Sequence, residues 1–162
     1  MKKLILPILA GVLLIAAAAV FLFTPASVKK DASSTEEPSV EGRILIKTAD
    51  LKEDEVTFIR AGGDSRIELI ARLGADGKPK VALGTCQSCN GAPGAYYSQD
   101  GDVLQCNNCG LTFPLEVIDQ PGGGCHPITI DETIIESEKD GISIDMDKLS
   151  QYEDLFTSVK EH

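Results

Sequence analysis

The stretch VALGTCQSCNGAPGAYYSQDGDVLQCNNCG, residues 81–110, decides the fold of this chain because it contains two Cys-x-x-Cys pairs. Cys86 pairs with Cys89, and Cys106 pairs with Cys109. Two cysteines separated by two residues can direct both sulfurs at one ion from a tight turn, and two such turns together form a tetrahedral four-sulfur site. The spacing therefore predicts one metal centre held by these four side chains.

Glycines beside both pairs fit this prediction. Gly110 follows the second pair directly, and Gly91 lies two residues beyond the first. Glycine lets backbone N–H groups curl toward thiolates without a Cβ clash. A thiolate tetrad suits zinc, a single iron or an iron–sulfur cluster, and the spacing leaves the metal open. In an oxidising compartment, disulfide bonds or a redox dithiol are the alternatives.

A fifth cysteine follows in the segment GGGCHP, residues 122–127. Cys125 and His126 are candidates to extend the ligand set or to replace one of its members. Adjacent side chains do not easily bind one ion together, so we expect at most one of them to bind it directly. The alternative is that the glycines form a turn and Cys125 is simply buried.

Short strand patterns surround the cysteines, which predicts a β-rich α+β fold. The predicted strands cover residues 43–48, 56–60, 66–73, 80–83, 95–99, 102–106, 127–130, 133–138 and 142–146. Asp-Gly pairs at residues 76–77, 100–101 and 140–141 indicate hairpin turns. A helix is predicted over residues 147–160, with Asp147 as its N-cap. Aromatic residues make up only 5% of the chain, so a thin core that needs a metal or disulfides is expected.

The N-terminal segment is uncharged from Leu4 to Phe23, after Lys2 and Lys3. At about 1.5 Å per residue, this apolar run is long enough to cross a bilayer core. We interpret residues 1–24 as a transmembrane signal-anchor, and a cleaved signal peptide is the alternative. The n-region has no twin arginine, which argues against export of a folded domain carrying a preassembled cluster.

The remaining chain then divides into two parts. Residues 25–42 are polar and contain Pro and Ser, which predicts a flexible linker. Residues 43–162 form the predicted metal-binding domain, which we place on the extracytoplasmic side of the membrane as part of a single-pass protein. The formal net charge of −10 disfavours nucleic-acid binding, because phosphate backbones require Lys and Arg. No nucleophile motif is present in the sequence, so an enzyme is not expected, although a redox accessory stays open.

Residues 81–130 resemble the FtrD-like membrane iron–sulfur protein family. The shared features are the two Cys pairs, Cys-Asn-Asn-Cys-Gly at 106–110, Phe-Pro at 113–114 and Gly-Gly-Cys-His-Pro at 123–127. The similarity extends over roughly residues 43–157. His126 departs from the family pattern, where Asn is expected. The single apolar segment is a second departure, because some relatives have several.

The resemblance implies a membrane-associated protein that binds iron or an iron–sulfur cluster through its five cysteines. Relatives accompany iron permeases, so it also implies a permease partner and a role in electron transfer or metal handling during iron uptake. Two other functions stay open from the residues themselves. One is a structural zinc-ribbon module that binds another protein, and the other is a thiol–disulfide redox protein that uses Cys86 and Cys89.

Overall fold

The structure, a computed structural model, describes residues 39–40 and 42–157. Within these residues, eleven strands form three antiparallel sheets. The strands are β1 (Ser39–Val40), β2 (Arg43–Lys47), β3 (Thr57–Arg60), β4 (Glu68–Leu73), β5 (Pro79–Cys86), β6 (Tyr97–Asp100), β7 (Val103–Cys106), β8 (Thr112–Pro114), β9 (Pro127–Thr129), β10 (Ile135–Glu138) and β11 (Gly141–Asp145). The strand orders are β1-β2-β11-β10, β3-β4-β5-β9 and β6-β7-β8.

The sheet β3-β4-β5-β9 is the middle layer of the domain. Its strand β4 is buried along almost its whole length. Alternate side chains of a strand point to opposite faces of the sheet, and both faces of this sheet are covered by a core. Leu69 packs into one core with β2 and β11, whereas Ile70 packs into a second core with the small sheet β6-β7-β8. The first core contains no cysteine, and the second contains Cys86 and Cys106. The described part of the chain thus has two substantial cores, despite its few aromatic residues.

The three predicted hairpins are confirmed, since β4 pairs with β5, β6 with β7, and β10 with β11. The small antiparallel β-domain with a short C-terminal helix is therefore the fold observed. Two strands were missed: the two-residue β1, which lies in the predicted linker and pairs with β2, and the three-residue β8, which pairs with β7 directly after the second Cys pair. Both strands are too short to carry an alternating pattern, and each is defined by the strand with which it pairs.

The C-terminal helix differs from the prediction. It begins at Met146 as a single α-turn, Met146–Leu149, and continues as a 3₁₀ helix over Ser150–Leu155. The prediction of Asp147 as the N-cap is wrong, because the Asp145 carboxylate accepts the hydrogen bond from the Lys148 N–H. Strand β11 runs straight into the helix, so the cap lies at the strand's last residue.

The predicted membrane anchor lies outside the described residues, as does most of the predicted linker. Among residues 39–40 and 42–157, no helix combines the length and the apolar character that crossing a bilayer requires.

Candidate metal centre

The first Cys pair lies at the end of the longest strand. β5 ends at Cys86, whose N–H donates to the Ala95 carbonyl (3.2 Å), and the chain then turns so that the Cys89 N–H donates to the Cys86 carbonyl (3.2 Å). The backbone N–H groups of Ser88 and Cys89 also donate to the Cys86 sulfur. We call residues 86–91 the first knuckle, and its backbone is arranged to stabilise a thiolate.

The second Cys pair repeats this arrangement at the end of β7. Cys106 pairs with Tyr97 across the β6-β7 hairpin, and the Gly110 N–H donates to the Cys106 carbonyl (2.8 Å). Gly110 has φ 74°, a left-handed conformation that favours glycine. It carries the chain around so that the Leu111 N–H donates to the Cys109 sulfur. Residues 106–111 form the second knuckle.

A third loop, residues 120–126, brings the fifth cysteine to the same place. β9 runs antiparallel to β5, and its first residue, Pro127, is paired with Cys86. The residue that precedes β9 by two positions must therefore lie beside the end of β5. This register, set between residues distant in the sequence, places Cys125 next to the first knuckle.

Four of the five sulfurs form one compact group. The Sγ atoms of Cys86, Cys89, Cys109 and Cys125 all lie within 4.8 Å of one another. The sulfurs of Cys109 and Cys125 lie 3.2 Å apart. The fifth thiol, Cys106, touches the group through the sulfurs of Cys86 and Cys109. All five cysteines are free thiols, so no disulfide competes with metal binding in this structure.

The thiols differ in how readily they ionise. The N–H of Leu111, together with the neighbouring Cys125 thiol, lowers the pKa of Cys109 to about 7. Burial opposes ionisation of Cys86, but the N–H groups of its knuckle outweigh burial and lower its pKa. Burial raises the pKa of Cys106 to about 12. The hydrogen bond with Cys109, followed by burial, raises the pKa of Cys125. The ionised form is therefore favoured at Cys109, on the exposed side of the group, and at Cys86, on its buried side.

His126 is placed differently from the cysteines. Its ring stacks on Phe113, with centroids 5.4 Å apart and an interplanar angle of 18°. Its Nδ1 atom is buried without a hydrogen-bond partner, facing Gly122, where a Cβ would lie 2.3 Å from it. No nitrogen of His126 belongs to the compact group of ligand atoms. The ring instead fills the space that Gly122 leaves open.

The surface around the sulfurs carries no charge from its own segments. Residues 81–99, 103–115 and 120–130 contain no Asp, Glu, Lys or Arg, although a quarter of the chain is charged. Leu111 follows the second knuckle and is 57% exposed, the one exposed large hydrophobic side chain in the part of the chain that the structure describes. Depletion of charge is typical of the centre of a protein–protein interface.

The structure thus brings three members of the predicted tetrad together with Cys125 and places Cys106 beside them. Which of the five sulfurs bind a metal stays a prediction at this point. Sequence reasoning missed the side chains that position the site: Ser88, Tyr97 and Asn108. Asn108 bonds the Cys89 sulfur through its side chain. The absence of charge across three separate segments is the signal that would have marked this end of the molecule.

Comparison with known proteins gives one match. The family model described as "Membrane iron-sulfur containing protein FtrD-like" matches residues 49–156. No curated protein and no solved structure matches the chain. The matched residues include all five cysteines, and a group of thiol sulfurs this compact is a suitable donor set for a thiolate-bound metal.

Proposed function

The chain belongs to the FtrD-like family of membrane iron–sulfur proteins, and from this premise we propose that it holds iron at its cysteine centre and serves as an electron-transfer or metal-handling accessory in iron uptake. We further propose that it is a single-pass protein with this centre on the extracytoplasmic side, where a membrane iron permease is its partner. The observation that carries the proposal is the group of four sulfurs within 4.8 Å of one another.

Iron bound to thiolates supplies one-electron exchange. The role of the chain's own residues is to hold the sulfurs, favour their ionised form and leave one edge accessible. Cys109 is exposed, whereas Cys86 and Cys106 are buried in the core between the middle sheet and β6-β7-β8. A centre that is anchored on one side and accessible on the other is suited to exchange with a partner.

The uncharged surface around the centre supports close approach by a partner. Charged side chains would have to be desolvated or paired on contact, whereas this surface, with Leu111 at its edge, requires neither. The partner that fits is a protein with an uncharged face near its own metal or entry site. Leu111→Asp should therefore reduce association with the permease while leaving the bound metal unchanged. Ser137→Asp, which adds the same charge at an exposed position on β10, outside the uncharged segments, is the matched control.

The direct test is elemental analysis and an absorption spectrum of the full-length chain, purified anaerobically in detergent. We expect iron and visible absorption that bleaches on reduction. In cells that depend on the permease, Cys89→Ser should lower uptake of radioactive iron at equal chain abundance in the membrane. A colourless protein with one zinc per chain, or uptake unaffected by Cys89→Ser, would refute the proposal.

A structural zinc site is the second candidate, because zinc thiolates form an equally compact tetrahedron. Metal removal should then unfold the domain. The large core between the two four-stranded sheets contains no cysteine, which favours a domain that stays folded without metal. Circular dichroism of the metal-free chain separates these outcomes.

A further inference from the structure

The separation of the sulfurs bears on how many metal ions the centre holds. Around a single tetrahedral ion with metal–sulfur bonds of about 2.3 Å, neighbouring sulfurs lie about 3.8 Å apart. Thiolates that bind different irons of a cluster lie farther apart, because irons and bridging sulfides stand between them. A group in which no two sulfurs are more than 4.8 Å apart has the dimensions of a one-ion site.

The third loop is fixed to the first knuckle by hydrogen bonds. The Ser88 hydroxyl donates to the Gly124 carbonyl (2.6 Å), and the Gln87 N–H donates to the His126 carbonyl (2.9 Å). The Tyr97 hydroxyl, inside the core, donates to the Cys125 carbonyl (2.8 Å). Hydrogen bonds to the carbonyls of Gly124, Cys125 and His126 therefore fix the backbone around Cys125. They place its sulfur 3.2 Å from the sulfur of Cys109.

Cys106 is the one cysteine whose sulfur lies outside the compact group of four. Its side chain is 0% exposed and belongs to the core that contains Tyr97 and Leu104. The N–H groups of Asn108 and Cys109 donate to its sulfur, as those of Ser88 and Cys89 do to the sulfur of the equally buried Cys86. What separates the two cysteines is that the Cys86 sulfur lies within 4.8 Å of all the other sulfurs of the compact group, whereas the Cys106 sulfur is not part of that group. Its place in the molecule is that of a core side chain next to the centre.

We propose that the centre binds one metal ion through Cys86, Cys89, Cys109 and Cys125, and that Cys106 is a fifth thiol that does not bind it. This inference depends on the proposed function only in requiring that a metal is bound. It departs from the family's description, which implies an iron–sulfur cluster, and from the tetrad that the Cys-x-x-Cys spacing predicts.

The experiment loads the metal-free full-length chain in detergent with Co²⁺ and, separately, with Fe²⁺, and measures metal per chain and acid-labile sulfide after reconstitution with and without sulfide. We expect one ion per chain, no labile sulfide, and the cobalt absorption of a tetrahedral thiolate site. Two or more irons with matching labile sulfide would overturn the one-ion site. Failure to bind either metal would refute the proposed function as well, which keeps the two failures distinguishable.

Two matched variants test the ligand set. Cys125→Ser should weaken Co²⁺ binding more than about a hundredfold, beyond the effect of losing a group that only orients a ligand. Cys106→Ser should stay within about threefold of the unaltered chain, and Cys106→Ala replaces it if the hydroxyl prevents folding in the apolar site. Circular dichroism checks the fold of each variant. Loss of binding in folded Cys106 variants, with binding retained in Cys125→Ser, would overturn the assignment.

Discussion

Tyr97→Phe tests whether the core positions the third loop, because it removes one hydroxyl and keeps the ring. The Tyr97 hydroxyl donates to the Cys125 carbonyl at 2.8 Å, and burial raises its pKa, so it is a neutral donor at pH 7. The ring contact with Phe113, edge to face at 5.3 Å, remains in the variant. The change therefore removes the hydrogen bond to the third loop, together with the contact between the Tyr97 hydroxyl and the Cys86 sulfur.

The magnitude follows from this geometry. A net hydrogen bond contributes about 1 kcal/mol, and a carbonyl left without a donor costs about 1–3 kcal/mol when it is buried. Since Cys125 is only partly buried, water can reach its carbonyl, and we expect a loss of about 1–2 kcal/mol. If that bond also holds the sulfur in place for binding, metal affinity should fall by up to about tenfold, the factor that corresponds to 1.4 kcal/mol.

Urea denaturation of the metal-free chain measures the first quantity, and competitive Co²⁺ titration measures the second. Tyr152→Phe is the matched control, because its hydroxyl accepts a hydrogen bond from the Asp131 N–H (3.2 Å) away from the sulfurs. Tyr152→Phe should lower stability without weakening Co²⁺ binding. Equal affinities for the two variants would refute the view that Tyr97 positions the metal centre.

Three further predictions concern the Glu153 carboxylate, the backbone of the third loop and the thiols of the metal centre. The Glu153 carboxylate is partly desolvated, but hydrogen bonds from the loop before β4 outweigh burial and lower its pKa below the usual 4.5. Its contribution to the free energy of unfolding is therefore present above pH 4.5 and is lost as the pH falls through the lower folded pKa. In urea denaturation, Glu153→Gln should cost about 1 kcal/mol at pH 7 and should flatten the dependence of stability on pH in acid. Gly124 has φ 80°, so Gly124→Ala should cost about 1–2 kcal/mol in urea denaturation, whereas Gly123→Ala, in open space, should cost little. In the metal-free chain, hydrogen peroxide should join Cys109 to Cys125, with the two thiols losing two electrons and two protons as peroxide becomes water, and peptide mapping by mass spectrometry should identify this bond.

Each of these predictions has its own control. Asp154→Asn removes an exposed carboxylate beside Glu153, and an equal effect on acid stability would contradict the role of the Glu153 hydrogen bonds. Equal costs for the two glycine variants would mean that the left-handed backbone at Gly124 contributes nothing. The metal-loaded chain should resist the peroxide reaction, because ligated thiolates are protected. A first disulfide at another cysteine pair would contradict the 3.2 Å approach as the reactive contact.

The local features of this protein follow from its sequence because each depends on a few neighbouring residues. The turns at Gly77 and Gly101 require a positive φ, and Asp-Gly between strand patterns supplies it. Both knuckles are likewise encoded in Cys-x-x-Cys and the glycine that follows. The helix was less well predicted, since Asp145 belongs to β11 and its capping role depends on where that strand ends.

By itself, then, the sequence determined the antiparallel hairpins, the two knuckles and the family to which the chain belongs. Tertiary structure alone decided that β4 is buried on both faces and that Cys125 joins the sulfurs. The pairing of Pro127 with Cys86 joins residues about forty positions apart, and no local pattern specifies such a register. Packing also buries Cys106. Side chains alternate along β7, and Cys106 lies on the same inward face as Leu104, which packs into the core.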